Sequence, residues 1–236
     1  MSDILMQVQA MYDEAGVYFS KTRSKKYGTK GSQNWPVTQK YLDKVKSGQS
    51  VLDIGCGNGK LVSGLAKGAE YLGIDFSKTL LQEAKTNFPN YDFRYGNVVE
   101  PKAWKNLKKY DAIFCVAVLH HLPEKEQQVL VLKKMRSLLK NNGFIYLSVW
   151  NLWQKRFLQY HLDSLELKKE NPRWVNIPFD TKWERFCVQM DIPYIVELME
   201  EAGLDLETIF YAGKDGKRAD VLTGQNLVAV ARLKSK

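Results

Sequence analysis

Asp53, Gly55, Gly57 and Gly59 stand in the run Val51–Lys60, VLDIGCGNGK, and a second acid, Asp75, follows the first by 22 residues. Glycines at alternate positions lack Cβ and tolerate positive φ, so a turn built from them lets a ligand approach bare backbone. A carboxylate ending the next strand of a Rossmann-like sheet accepts hydrogen bonds from the two hydroxyls of a ribose. Together they have the shape of a nucleotide-type cofactor site and predict an unphosphorylated ribose. The glycine pattern is G-C-G-N-G rather than G-x-G-x-x-G, because Lys60 stands where the last glycine of the dinucleotide fingerprint would be, and no G-x-x-x-x-G-K-[ST] loop is present.

The positioning elements can be read around that run. Val51–Ile54 is a short apolar strand, and Gly59 is expected to open a helix to Ala66 whose free N–H groups favour an electron-rich partner. Tyr71–Ile74 is the second strand, Ser77 caps a helix to Asn87, and Tyr91–Tyr95 is the third strand. Ala112–Val116 is a continuous apolar run of the kind buried on both faces of a parallel sheet. Pro123 suits a first helical position before a helix Glu124–Lys140, which Asn142-Gly143 ends ahead of a fifth strand, Phe144–Val149. Upstream, a helix runs through Ile4, Val8, Met11, Ala15 and Tyr18, Lys21–Asn34 reads as a basic loop, and Pro36 starts a helix bearing Tyr41 and Leu42. Asn151–Met190 breaks the alternation and is rich in aromatic and basic residues, as a lid would be. Pro193 then begins a helix to Ala202, and Leu204–Tyr211 pairs with Asn226–Leu233. The expected fold is α/β: a Rossmann-like, seven-stranded, mostly parallel sheet with an antiparallel terminal strand and helices on both faces. One domain is expected over 1–236, with an N-terminal helical and basic extension at 1–49 and the aromatic insertion at 151–190.

Composition narrows the classes. The longest apolar run, Ala112–Leu119, falls far short of the ~20 residues that span a bilayer, and Met1–Ala10 does not resemble a secretory segment, so a cytoplasmic protein is expected. Cys56, Cys115 and Cys187 are scattered without metal-ligand spacing, which predicts free thiols and no metal. A net charge of +9 favours polyanionic partners, and Lys21, Arg23, Lys25, Lys26 and Lys30 form its densest cluster.

The D-x-G-x-G-x-G run, the second-strand acid and YDAIFCVAVLHHL on the fourth strand resemble the class I S-adenosylmethionine-dependent methyltransferases over about Val51–Trp150. The resemblance implies S-adenosylmethionine as cofactor. It places the methionine part over Asp53, Gly55, Cys56, Gly57 and Gly59, the ribose on Asp75, and adenine between Phe76, Asn97 and Val98, with Val116 lining the cleft. Many relatives carry Asp where Asn97 stands. His120 and His121 are candidate general bases, although both also suit a structural role at the start of the following helix.

A narrower resemblance lies outside the core. MYDEAGVYFSKTR followed by NWPVTQKYL, then VLHHLPEKEQQ, ERFCVQMDIPYIVELMEEAGL and GQNLVAVARL, is similar to the family that esterifies the carboxylate of 5-carboxymethyluridine at the tRNA wobble position. It departs after Arg185-Phe186, where Cys187 and Val188 replace the usual aromatic and histidine. The resemblance implies a tRNA partner and a small zinc-binding activator subunit. It makes Tyr12 a cofactor neighbour, Arg23 a candidate for the cofactor's carboxylate and Arg185 a candidate for the substrate's. A carboxylate is ionised at neutral pH, so esterifying it needs no base, only cationic groups that orient it. A small-molecule methyltransferase and a non-catalytic methyltransferase-like binding subunit are the alternative readings.

Overall fold

A computed structural model describes residues 3–26, 34–179 and 182–234, with residues 3 and 17–26 as backbone only. Strands β1 (Ser50–Ile54), β2 (Glu70–Asp75), β3 (Asp92–Tyr95), β4 (Tyr110–Val116) and β5 (Leu139–Trp150) pair in parallel in the order 3-2-1-4-5. Two further strands, β8 (Leu204–Ala212) and β10 (Asn226–Leu233), extend the sheet beyond β5, with β10 running antiparallel between β5 and β8. These are the seven strands expected. The two-residue β9 (Arg218–Ala219) adds an eighth at the edge of β8.

Strand side chains alternate between two cores, so both faces of the sheet are buried. Leu52, Ile54, Ile113 and Ile145 pack with Leu132 of α4 (Lys125–Ser137) and Leu198 of α7 (Ile192–Glu201). Val51, Phe114 and Tyr146 pack on the other side with Leu42 of α2 (Pro36–Leu42) and Leu81 of α3 (Lys78–Asn87). The Ser77 hydroxyl accepts from Leu80 N, the cap expected; Asp191 accepts from Tyr194 N, and Glu124 with Gln127 makes a capping box, so Pro123 precedes the N-cap instead of taking the first helical position.

Three further expectations are corrected. Helix α1 (Asp3–Lys26) runs into the segment read as a loop, because Lys and Arg are good helix formers and no glycine or proline interrupts Lys21–Lys26. The stretch after β1 is a 3₁₀ turn, Lys60–Gly64, rather than an α-helix Gly59–Ala66. Its Leu61 and Gly64 carbonyls accept hydrogen bonds from the Asn34 and Gln39 side chains, at 3.3 and 2.9 Å, in place of a next helical turn. No α-helix N-terminus faces the ligand there. Finally, α4 stops at Ser137 and β5 begins at Leu139, with Asn142-Gly143 absorbed in an irregular register between the pairs Tyr110–Leu139 and Ala112–Phe144.

The insertion after β5 folds as α5 (Leu158–Asp163), α6 (Leu165–Glu170) and an antiparallel hairpin of β6 (Trp174–Phe179) and β7 (Trp183–Val188). Its root is fastened by side chains: Asn151 Nδ2 donates to the carbonyls of Val221 and Gly224, and Gln154 Nε2 to those of Asn151 and Gln225. No helix among the described residues is long and apolar enough to cross a membrane.

Candidate active site

One cleft opens at the carboxyl ends of the parallel strands, where a doubly wound sheet binds its ligand. Asp53, Gly55, Cys56, Gly57, Asp75, Phe76, Asn97, Val98, Val116 and His121 all line it, so loops from four strands converge as the alternation implied. Tyr12 closes the cleft from α1.

The floor is built from backbone. Gly55 has φ +69°, and a Cβ there would lie 2.1 Å from Cγ2 of Val118, so the β4 loop rests directly on the turn. Asp75 is buried and accepts from Gly57 N and Ser77 N, both at 2.8 Å. Burial pushes its carboxyl up to about 6, against those hydrogen bonds. Asp53, beneath the turn, accepts from the Tyr71 hydroxyl at 2.8 Å, and burial pushes it up to about 7. Asn97 is buried, with its amide oxygen accepting from Val99 N at 3.2 Å. A bare-backbone turn beside a buried, partly satisfied acid fits the ribose and methionine parts of S-adenosylmethionine.

Helix α1 is tied across this floor. Gln9 Nε2 donates to the Phe76 carbonyl at 3.1 Å, the Ser77 hydroxyl to Asp13 Oδ1 at 2.8 Å and the Thr79 hydroxyl to the Asp13 carbonyl at 2.9 Å. The Tyr12 hydroxyl lies 3.0 Å from Nε2 of His121, whose Nδ1 lies 2.8 Å from the Phe186 carbonyl. A carbonyl only accepts, so Nδ1 carries a proton, and Nε2 pairs with the Tyr12 hydroxyl. His121 thus joins α1, the β4 loop and β7, and both its ring nitrogens are engaged. His120 and Cys187 bring donor atoms within 4.8 Å of one another and of His121. Burial pushes the Cys187 thiol up to about 12.

Other anticipated residues fall elsewhere. Gly59 is buried off the cleft, where a Cβ would come within 2.9 Å of Phe93 and 3.1 Å of Phe88, so its part is to shape the turn. His120 is fully buried behind the cleft wall, its ring 4.3 Å from that of His121 and 5.1 Å from that of Trp150. The Arg23 side chain lies outside the described residues. Arg185 does not line the cleft itself but stacks on a residue that does: its guanidinium sits 4.5 Å from the Trp150 ring and 4.4 Å from that of Phe179. Val118 lines the cleft with His121 from the loop after β4, and Trp150 and Trp35 are lining residues that the sequence reading passed over. Trp150 was within reach, since it is the last residue of β5 and therefore at the ligand edge.

A sheet ordered 3-2-1-4-5 with a reversed strand beyond β5, and a ribose-type acid facing a glycine turn, defines the class I S-adenosylmethionine-dependent methyltransferases. The chain belongs to the methyltransferase-domain family, which matches residues 45–212. It is 33% identical over 199 residues to a putative methyltransferase of Encephalitozoon cuniculi, covering 83% of this chain and 86% of that protein. It is 29% identical over 143 residues to the tRNA (carboxymethyluridine(34)-5-O)-methyltransferase of Arabidopsis thaliana, covering 61% of this chain and 32% of that protein. The chain thus spans about a third of the length of the first curated relatives it matches. Its fold is that of an S-adenosylmethionine-dependent methyltransferase from Clostridium acetobutylicum, with TM-score 0.67 and 13% identity over 93% of this chain and 99% of the other. A putative methyltransferase solved in complex with the Haloferax volcanii Trm112 methyltransferase activator has the same fold, with TM-score 0.65 and 16% identity over 95% and 98% of the two chains.

Proposed function

We propose that the protein methylates the carboxylate of a 5-carboxymethyluridine at the wobble position of tRNA, giving the methyl ester. The observation that carries this reading is Arg185. It is half-buried between two aromatic rings, it joins no ion pair among the described residues, and its Nε has no hydrogen-bond partner. Burial lowers its pKa, yet a guanidinium stays charged at any physiological pH. A cation held out of water without a counter-charge is unfavourable, and an incoming carboxylate removes that penalty through a forked, charge-assisted pair.

S-adenosylmethionine supplies, when bound, a methyl group on a sulfonium that asks for an aligned nucleophile rather than an acid or base. Asp75, Gly55 and Gly57 would hold its ribose and methionine portions, and Phe76, Asn97 and Val98 its adenine. Arg185 then orients the substrate carboxylate, while α1, through Tyr12, excludes water. His121 takes no proton from the substrate in this scheme, in keeping with its two engaged nitrogens. The net charge of +9 supports a polyanionic substrate, and the similarity to the Arabidopsis enzyme supports tRNA.

A small zinc-binding activator subunit belongs to the same reading. The outer edge of β3 has no strand beside it among the described residues, and Tyr95 on it is 46% exposed. Such an edge suits strand addition by a partner. The likeness to the Haloferax volcanii pair supports that choice of partner.

The test is nucleoside mass analysis of tRNA before and after incubation with the protein and S-adenosylmethionine, with and without a co-expressed activator. Appearance of the 5-carboxymethyluridine methyl ester is expected. Methyl groups on another nucleoside, or transfer only to small carboxylates regardless of salt, would replace the tRNA reading.

A further inference from the structure

The β6–β7 hairpin has two unlike faces. Trp174, Phe186 and Val188 point into the main core, whereas the opposite face runs outward from buried Val175 and Cys187, through the pair Ile177–Arg185, to the pair Phe179–Trp183. Both rings of that outermost pair are half-exposed. They lie directly across from each other, with ring centroids 6.3 Å apart and planes tilted by 35°. Cations lie against these rings: Arg185 bridges Trp150 of the cleft to Phe179, and Lys182 Nζ sits 4.9 Å from the centre of the Trp183 ring. Aromatic and cationic groups therefore form one continuous row from the cleft wall to the outside of the molecule.

We propose that Phe179 and Trp183 form the platform on which the unpaired nucleobase of the substrate stacks, with its carboxylate turned inward to Arg185. This inference rests on the RNA carboxylate reading and adds the residues that would select a base over a small aliphatic acid. Arg185 and Trp183 are two residues apart on one strand face, roughly 7 Å, which is the scale of a pyrimidine carrying a short acidic arm. A flat, sequence-tolerant surface needs the base out of its helix, so the platform favours a loop nucleotide over a paired one. Lys182 beside it is placed for the neighbouring phosphate.

The experiment uses the full chain and a synthetic anticodon stem-loop carrying 5-carboxymethyluridine. Binding is followed by fluorescence anisotropy, methyl transfer by label, and cofactor affinity by calorimetry. Trp183→Ala is expected to weaken RNA binding roughly tenfold or more, Trp183→Phe to restore most of it, and cofactor affinity to stay unchanged in both. Trp183 also donates through Nε1 to Glu14 of α1 at 3.2 Å, so Glu14→Ala separates a structural part from stacking and should leave RNA affinity near that of the parent. Should Trp183→Ala not fold, Phe179→Leu keeps the hairpin apolar and removes one flat ring, and is expected to weaken binding likewise. Equal RNA binding by the parent and the ring-deleted variant overturns the platform, as does a loss in Glu14→Ala or Trp183→Phe as large as that in Trp183→Ala. Trp183-dependent binding without methyl transfer would keep the platform and overturn the functional reading beneath it. Methyl transfer indifferent to both rings would do the reverse.

Discussion

The glycine turn with the end of β2 lines the cleft directly, the hairpin of the insertion touches its wall through Arg185 on Trp150, and the two are held by opposite means. On the first side a ligand meets backbone: a left-handed glycine, amide groups at 2.8 Å from Asp75, and the Val118 side chain lying on Gly55. The second region is built of side chains gathered from separate elements, with Arg185 stacked between Trp150 of the cleft wall and Phe179. Backbone geometry tolerates almost no substitution, whereas a stack of side chains can be re-chosen residue by residue. In the proposed scheme the backbone-built region holds the cofactor and the region built of side chains holds the substrate.

The sharpest way to break that division is Gly55→Ala. The new Cβ meets Val118 at 2.1 Å in a backbone conformation that disfavours any L side chain. Strain and overpacking together should lower unfolding stability by roughly 2–5 kcal/mol. Calorimetry should find cofactor binding lost, and a denaturant titration the lowered stability. A variant with normal stability and affinity would mean that the turn is not the rigid side.

Arg185→Met tests the other side. The flexible apolar side chain keeps the contact with Trp150 and Phe179 but removes the charge, so kcat/KM for tRNA should fall roughly a hundredfold or more, with cofactor affinity unchanged. Arg185→Lys should recover only part of the loss, since an ammonium cannot make the forked pair. A parallel fall in cofactor affinity would merge the two regions into one.

The same contrast explains what could be read before any coordinates. Val51–Asp75 is legible because strand, turn and acid are local: apolar alternation, glycine spacing and a short sequence separation carry them. The part misread is not local: the 3₁₀ turn at Lys60–Gly64 accepts from Asn34 and Gln39, more than twenty residues upstream. In the insertion the aromatic residues were visible but their assignment was not. Trp174 and Phe186 became core while Phe179 and Trp183 stayed half-exposed, a choice made by which hairpin face met the sheet. Nothing in the spacing of Trp150 and Arg185 announces that one lies on the other, because that contact joins β5 to β7 across the insertion. Asp53 showed its place in the turn but not its depth, and its raised pKa follows from depth alone.

That depth separates the two regions by pH, with a smaller effect than either substitution above. Burial holds Asp53 at about 7 in the fold, against about 4 for a free carboxyl, so the native state keeps a proton that the unfolded chain releases. Its contribution to the stability of the ligand-free protein is present below about pH 4 and is lost as pH rises toward about 7. Asp75 acts with the same sign up to about 6. In the insertion His161 has the reverse sign: burial lowers its pKa, so its contribution is present above the ordinary histidine value of about 6.5 and is lost as pH falls. Asp53→Asn keeps an oxygen for the Tyr71 hydroxyl and removes the titration. The stability gained by the variant over the parent should grow from about pH 4 to about pH 7 and level off above it, as read by thermal unfolding in matched buffers. Hydrogen exchange should place that gain in β1 and β2 and leave the hairpin's exchange unaltered. A gain that does not vary with pH would mean that Asp53 titrates as an ordinary carboxyl and that water reaches beneath the glycine turn.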